Sequence, residues 1–245
     1  MPSENLYADL DGDGAPDVAI GRLPAQSAED AEAMVDKVAR QGDVLKREAG
    51  RHLIGVDNAS GAAAFKASAQ GVAAGLPAGA IVKWADVGEG AEAARAALIQ
   101  GLRQGAQVTH YFGHGGPELW ADEALLSAED VAEELAGSTG ESVVLAWACE
   151  AQWFQYPLGD TVGEALLRLP HGGALASFGP AGITDVDEQR LLYSEVYAKL
   201  FRPGITLGEA IRQAKAAALR NPRSRSAVEG WNLLGDPALR LDGGR

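Results

Sequence analysis

Thr109-His110-Tyr111-Phe112-Gly113-His114-Gly115-Gly116 and Val143-Val144-Leu145-Ala146-Trp147-Ala148-Cys149-Glu150-Ala151 are the two stretches on which the reading of this chain turns. Each is a short apolar, β-branched or aromatic run that stops at a reactive side chain, as a buried parallel strand does where it meets the carboxyl edge of its sheet. Ligands bind at that edge in open α/β sheets. The first strand delivers His114, with glycines on both sides that let another backbone approach. The second delivers Cys149, the only cysteine among 245 residues. The separation, 149 − 114 = 35 residues, leaves room for one helix, about Ser127 to Ala136, between adjacent strands. A thiol and an imidazole are therefore expected side by side.

Outward from these strands the same rhythm continues. Ser27 to Arg47 has a helix signature: Ser27 as cap with Asp30 three residues on, and an apolar face of Ala31, Met34, Val35, Val38 and Leu45. Arg51 to Val56 reads as a core strand ending at Asp57-Asn58, followed by an Ala/Gly-rich loop and a helix through Gly75. Ala80 to Trp84 is a short strand, and Gly90 to Gln104 an alanine-rich helix. Beyond Cys149, a helix is expected over Thr161 to Leu169, a strand over Gly173 to Phe178 and a turn over Gly179 to Gly182. Two helices follow over Glu188 to Phe201 and Leu207 to Leu219, then a basic loop over Asn221 to Ser226 and a terminal strand from Trp231. Strands alternating with helices predict an α/β fold with a mostly parallel sheet and right-handed crossovers. No internal repeat or low-complexity linker divides the chain, and residues 1–245 read as a single domain.

Composition narrows the function classes. A hydrophobic content of 47% with 22% charged residues supplies a full core and argues against disorder. No apolar run approaches the roughly 20 residues of a membrane span, and Met1 opens onto a polar segment without a signal-peptide core. Net charge is 21 − 34 = −13, which repels phosphate backbones and makes nucleic acid an unexpected partner. Acidity suits cationic peptides or calcium, and it also serves solubility. One cysteine forbids an internal disulfide.

Some of that acidity is ordered. Asp9, Asp11, Asp13 and Asp17 occupy positions 1, 3, 5 and 9 of an EF-hand-like loop, with Gly14 at position 6 where the chain must turn sharply. Such spacing wraps several hard oxygens around one point and implies Ca2+ bound at residues 9–17. Position 12 is Ile20, so the bidentate glutamate of an EF-hand is missing. The plainer reading is an acidic turn that feeds a strand over Asp17 to Ile20.

A thiol with a pKa of about 8.5 is mostly protonated at neutral pH, so a nucleophilic cysteine needs an imidazole or a positive field nearby. His114 supplies the imidazole, and it could then protonate a leaving amine. Against this, a solitary cysteine in an apolar strand is often a small core residue, and a histidine between glycines can simply turn the chain. A metal site on His110 and His114 is disfavoured, because residues four apart face one point on a helix and not in a strand. His52 and His171 read as surface or loop residues. Trp147 lies two residues before Cys149 and so shares its sheet face. Trp120, Trp147 and Trp153-Phe154 read first as packing, but one or more could wall a substrate pocket, for which Trp147 and Phe112 are the candidates.

Taken together, these blocks resemble the gingipain-like cysteine peptidases, which share the caspase-like fold. The resemblance is carried by Tyr111-Phe112-Gly113-His114-Gly115 followed by Trp120, by Val144-Leu145-Ala146-Trp147-Ala148-Cys149, and by Gly163-Glu164-Ala165-Leu166-Leu167 with Gly172-Gly173-Ala174. Thr206-Leu207-Gly208-Glu209-Ala210, Leu233-Leu234-Gly235-Asp236-Pro237-Ala238-Leu239 and, near the start, Asp17-Val18-Ala19-Ile20-Gly21-Arg22-Leu23-Pro24 extend it over nearly the whole chain. It implies a caspase-like three-layer α/β/α sandwich acting as a cysteine endopeptidase on protein or peptide substrates, with Cys149 as nucleophile and His114 as base and acid. It further implies an oxyanion site at the Gly115 and Cys149 N–H groups and an orienting role for Asp57, although Asp57-Asn58 could also merely turn the chain. Some members choose arginine or lysine before the cut, for which Asp185, Asp187 and Glu188 are the acids at hand here; solvated loop acids or a helix N-terminus before Glu188 to Phe201 is the alternative reading of the same residues. The family's habit of export implies a secreted or surface-held excerpt of a larger precursor. Rival expectations are a self-processing protease domain and a catalytically silent calcium-stabilised binding module. The oligomeric state is left open.

Overall fold

The computed structural model describes residues 3–58 and 64–243. The Ala/Gly-rich loop expected after Asn58 lies partly outside these residues. Among them, six strands form one sheet in the order β2-β1-β3-β6-β7-β8: β1 Arg51–Val56, β2 Ile81–Asp86, β3 Val108–Phe112, β6 Glu141–Trp147, β7 Gly173–Pro180 and β8 Trp231–Gly235. All neighbours pair in parallel except β8, which runs antiparallel to β7. Two short strands, β4 Leu119–Trp120 and β5 Leu126–Ser127, form a separate hairpin.

Helices cover both faces. On one side lie α3 Phe65–Ala74, α7 Val186–Leu200, α8 Leu207–Ala218 and α9 Arg225–Gly230, packed on Ile54, Val56, Val108, Phe112, Leu145 and Trp147. On the other lie α4 Ala91–Gln104, α5 Ala128–Glu134 and α6 Val162–Arg168, packed on Leu53, Tyr111, Val144 and Ala146. The even and odd residues of each strand thus feed opposite layers, as the two-residue period requires. Helix α2, Ala28–Arg47, gives Met34 to one layer and Val44 and Leu45 to the other. This is the three-layer α/β/α sandwich with a mostly parallel sheet that the sequence implies.

Local signals explain the helix starts. Ser27 with Asp30, Ser127 with Asp130 and Thr161 with Glu164 each form a reciprocal capping box, satisfying orphan N–H groups at the starts of α2, α5 and α6. The strand expected over Asp17 to Ile20 is absent: the chain there is irregular, and only Arg22 bridges to Leu234. The basic loop expected over Asn221 to Ser226 holds a short 3-10 turn and the start of α9. His52, expected at the surface, is buried. Its Nδ1 lies 3.1 Å from Nε2 of buried His110, whose Nδ1 meets the Tyr197 hydroxyl at 2.7 Å. No helix among the described residues is long and apolar enough to cross a membrane.

Candidate active site

Register assembles the site. Strand β3 pairs with β6 so that Phe112 faces Trp147, and the Gly113 N–H continues the contact by donating to the Trp147 carbonyl at 3.3 Å. Two residues further along each chain are His114 and Cys149, at the carboxyl edge and with the same 35-residue offset. Gly115 confirms the closeness: an added Cβ there would lie 2.7 Å from the Cys149 carbonyl oxygen and 3.0 Å from Ala148 Cβ. Only glycine fits between these two backbones.

The backbone of His114 is held at both ends. Asp57, one residue past β1, sends its own N–H to the Phe112 carbonyl at 3.0 Å. Its carboxylate accepts from the backbone N–H of His114 at 2.9 Å and of Asn58 at 2.7 Å. The Tyr111 hydroxyl donates to the His114 carbonyl at 2.5 Å, as does the Ala121 N–H at 3.1 Å. Tyr111 is itself fixed by stacking on Trp120, with centroids 4.5 Å apart. Burial raises the Asp57 carboxyl above the ordinary range, against the lowering effect of its two N–H bonds. Asp57 thus grips the main chain of His114 and not its ring. The ring lies edge-on to Phe65 of α3, centroids 5.1 Å apart.

Cys149 is half-buried. Its Sγ lies 3.6 Å from the Thr184 carbonyl oxygen and 3.9 Å from Thr184 Oγ1; no hydrogen bond among the described residues joins it to the His114 ring. Thr184 is steadied by Gln189, whose Nε2 donates to Thr184 Oγ1 at 2.8 Å. Immediately after the thiol the chain turns through Glu150, a non-glycine residue at φ 54°. Such left-handed geometry is uncommon outside glycine and is often found at functional turns.

Two sets of expected substrate residues sit differently from the sequence reading. Phe112 and Trp147 are 2% and 1% exposed, so neither can wall an open pocket. Trp147 packs among Phe178, Tyr193 and Trp231 and donates from Nε1 to the Tyr197 hydroxyl at 3.0 Å; Phe112 meets Tyr193 edge-on. Tertiary packing from α7 and β8, invisible in the strand itself, covers their face. Asp185 and Asp187 are exposed, but Asp185 caps α7 by accepting the Asp187 and Glu188 N–H groups at 2.9 and 3.2 Å. Asp187 pairs with Arg190 and Arg223. Sequence reasoning missed Thr184 and Tyr111, whose importance lies in contacts from distant elements.

At the N-terminal loop, Asp9, Asp11 and Asp17 each bring a carboxylate oxygen within 4.8 Å of the others. Asp13 is not part of this cluster and accepts the Ala15 N–H at 2.7 Å. The remaining carboxylate contacts close the loop: Asp9 accepts from Gly12 and Gly14, and Asp17 from Leu10.

A model described as Peptidase family C25 matches residues 1–242. The chain belongs to this family. Of solved structures, the complex of the pro- and mature domains of Porphyromonas gingivalis RgpB matches at 18% identity with a TM-score of 0.84, over 98% of this chain and 60% of that one. The Arg-specific cysteine proteinase gingipain R matches at 18% and 0.80, over 98% and 59%. The Saccharomyces cerevisiae separase–securin complex matches at 13% and 0.57, over 89% of this chain and 14% of that one. These likenesses concern the fold, and the chain spans about 60% of the length of the gingipain structures. No curated protein matches the chain.

Proposed function

We propose that the chain is a cysteine endopeptidase domain working through a Cys149–His114 dyad. What supports this reading is the β3–β6 register, which pairs Phe112 with Trp147 two residues before His114 and Cys149, together with the fit of Gly115 against the Cys149 backbone. His114 takes the Sγ proton and the thiolate attacks the substrate carbonyl carbon, forming a C–S bond and an oxyanion. The N–H groups of Gly115 and Cys149, both beside the nucleophile, receive that oxyanion. As the C–N bond breaks, His114 returns the proton to the leaving amine; it then deprotonates the water that hydrolyses the acyl-enzyme. For this the thiol turns from the Thr184 carbonyl towards the ring, an adjustment typical of sites that tighten on substrate. Asp57 and Tyr111 act as positioning residues by fixing the His114 backbone.

A basic preference before the cut is not part of this proposal, because Asp185 is engaged in capping α7 and Asp187 in ion pairs. A calcium ion is part of it. The clustered oxygens of Asp9, Asp11 and Asp17 suit a hard cation, which would neutralise their mutual repulsion and brace the loop. Proteins or peptides are the substrates, and the domain serves within a larger secreted or surface-held protein.

The test is digestion of a diverse peptide library by the protein and by Cys149→Ala, each with calcium and with chelator. Cleavage by the former alone is expected, with a lower melting temperature in chelator. Cleavage by neither folded protein would refute the peptidase reading and favour a silent binding module. An unchanged melting temperature would refute the calcium site.

A further inference from the structure

We propose that the Thr184 hydroxyl is a hydrogen-bond donor to the Cys149 thiolate and holds the negative charge that His114 creates by taking the Sγ proton. This rests on the dyad reading above. The sulfur lies against two oxygens of one residue, 3.6 Å from the Thr184 carbonyl oxygen and 3.9 Å from Thr184 Oγ1. The two oxygens serve opposite protonation states. A carbonyl only accepts and so suits the thiol, whereas a hydroxyl also donates and so suits the thiolate. Which way the hydroxyl turns is set by Gln189, whose Nε2 donates to Oγ1 at 2.8 Å, fills an acceptor position there and leaves the Thr184 proton to go elsewhere. Among the described residues, Sγ is the other side-chain partner of Oγ1. Gln189 is itself fixed: it is 5% exposed, and its own N–H donates to the Asp185 carbonyl at 2.9 Å in the first turn of α7.

Thr184 is brought to the thiol by a well-tied segment. Where the chain leaves β7, the Gln152 N–H donates to the Pro180 carbonyl at 2.9 Å and the Glu150 N–H to the Gly182 carbonyl at 3.1 Å. Thr184 follows two residues later, half-buried between the exposed Ile183 and Asp185. The charges of this region call for a neutral donor. Glu150 follows the thiol in the chain, Asp185 follows Thr184, and Asp57 backs the His114 main chain; carboxylates disfavour a nearby thiolate. Arg190 and Arg223 pair with Asp187, and Glu188 meets Ser226. During turnover the Sγ proton moves to the His114 ring, and the sulfur leaves the Thr184 carbonyl, whose dipole repels the new charge. The Thr184 O–H then holds the sulfur while keeping its own proton. As the C–S bond forms, the charge passes to the substrate oxygen and the hydroxyl lets go. Thr184 thus governs how much thiolate is present at a given pH and takes no part in protonating the leaving amine.

The test is a pH titration of Cys149 in the full chain, by ultraviolet thiolate absorbance measured against Cys149→Ala and by iodoacetamide alkylation read as intact mass; the single cysteine makes both signals specific. Thr184→Val keeps the side-chain shape and the carbonyl but removes the donor. Its titration midpoint should rise by about one pH unit, the tenfold that one hydrogen bond to an ionised acceptor supplies. Thr184→Ser keeps the hydroxyl and should titrate like the parent, whereas a packing role would make serine, which lacks the methyl, the more disturbed of the two. Thr184→Ala removes the hydroxyl without adding a methyl and takes the place of Thr184→Val if that variant misfolds. His114→Ala reports on the dyad separately and should also raise the midpoint. A parent-like midpoint in Thr184→Val, or a serine variant shifted as far as valine, would overturn the inference while a shift in His114→Ala leaves the dyad intact. Parent-like midpoints in both Thr184→Val and His114→Ala would overturn both.

Discussion

Replacing Gly115 by alanine should abolish most activity with the fold retained, whereas Gly116→Ala should change little. A Cβ at 115 meets the Cys149 carbonyl oxygen at 2.7 Å and Ala148 Cβ at 3.0 Å. Ordinary contact begins at 3.4 Å, so about 0.7 Å must be found between two strand ends. Neither neighbour is a flexible side-chain tip, and the strain falls on the segments that carry the nucleophile and the oxyanion N–H groups. Overpacking of this kind costs about 1–3 kcal/mol of stability. Displacing a reacting group by a comparable distance costs about 100-fold in rate, and losing one oxyanion donor costs at least about as much. Stopped-flow peptide cleavage should therefore show kcat down about 100-fold in Gly115→Ala, with a far-UV spectrum like that of the parent. Gly116→Ala, one residue along and in open space, controls for the loop. Wild-type kcat in Gly115→Ala would refute the juxtaposition of the two backbones.

Other perturbations follow from the same contacts. Asp57→Asn keeps the shape but sets an NH2 group against one of the two N–H donors, so stability should fall by about 1–3 kcal/mol in denaturant titration, with kcat lowered more than KM is raised. Lys37→Met orphans the carbonyls of Leu166, Leu167 and Ala174, which the buried Nζ binds at 3.2, 3.0 and 3.2 Å; chemical denaturation should show a loss of about 3 kcal/mol. Burial lowers the His52 pKa to about 4, and burial together with neighbouring His52 lowers that of His110. Because the unfolded chain binds the extra proton first, stability contributed by neutral His52 is present above pH 6.5 and falls as pH drops through 4. The loss is about 3 kcal/mol, read as a falling melting temperature that His52→Phe should flatten.

Much of this architecture was written in local signals. Buried parallel strands have no polar face, so β1, β3 and β6 stand out as short runs dominated by apolar, β-branched and aromatic residues, and the 35-residue offset between His114 and Cys149 already implied neighbouring strands. The cap at Ser27 with Asp30 announced the start of α2. What escaped depended on distant partners. Strands β4 and β5 have two residues each, too few for a period, and α9 hides in a basic segment. The runs at Phe112 and Trp147 show which residues share a face, but not that Tyr193, Tyr197 and Trp231 would close over it. His52 looked superficial because nothing beside it in sequence foretells the stack on His110. Asp57 was expected to serve the His114 ring; its contact with the N–H instead follows from the chain path beyond β1.

Intact-mass spectrometry with a peptidyl acyloxymethyl ketone, a probe that acylation-competent thiols attack, tests the central claim most directly. With a single cysteine in the chain, one adduct is expected on the parent protein, none on Cys149→Ala, and labelling slowed about 100-fold or more in His114→Ala. Equal labelling rates for the parent and His114→Ala would contradict a dyad in which the imidazole activates the thiol.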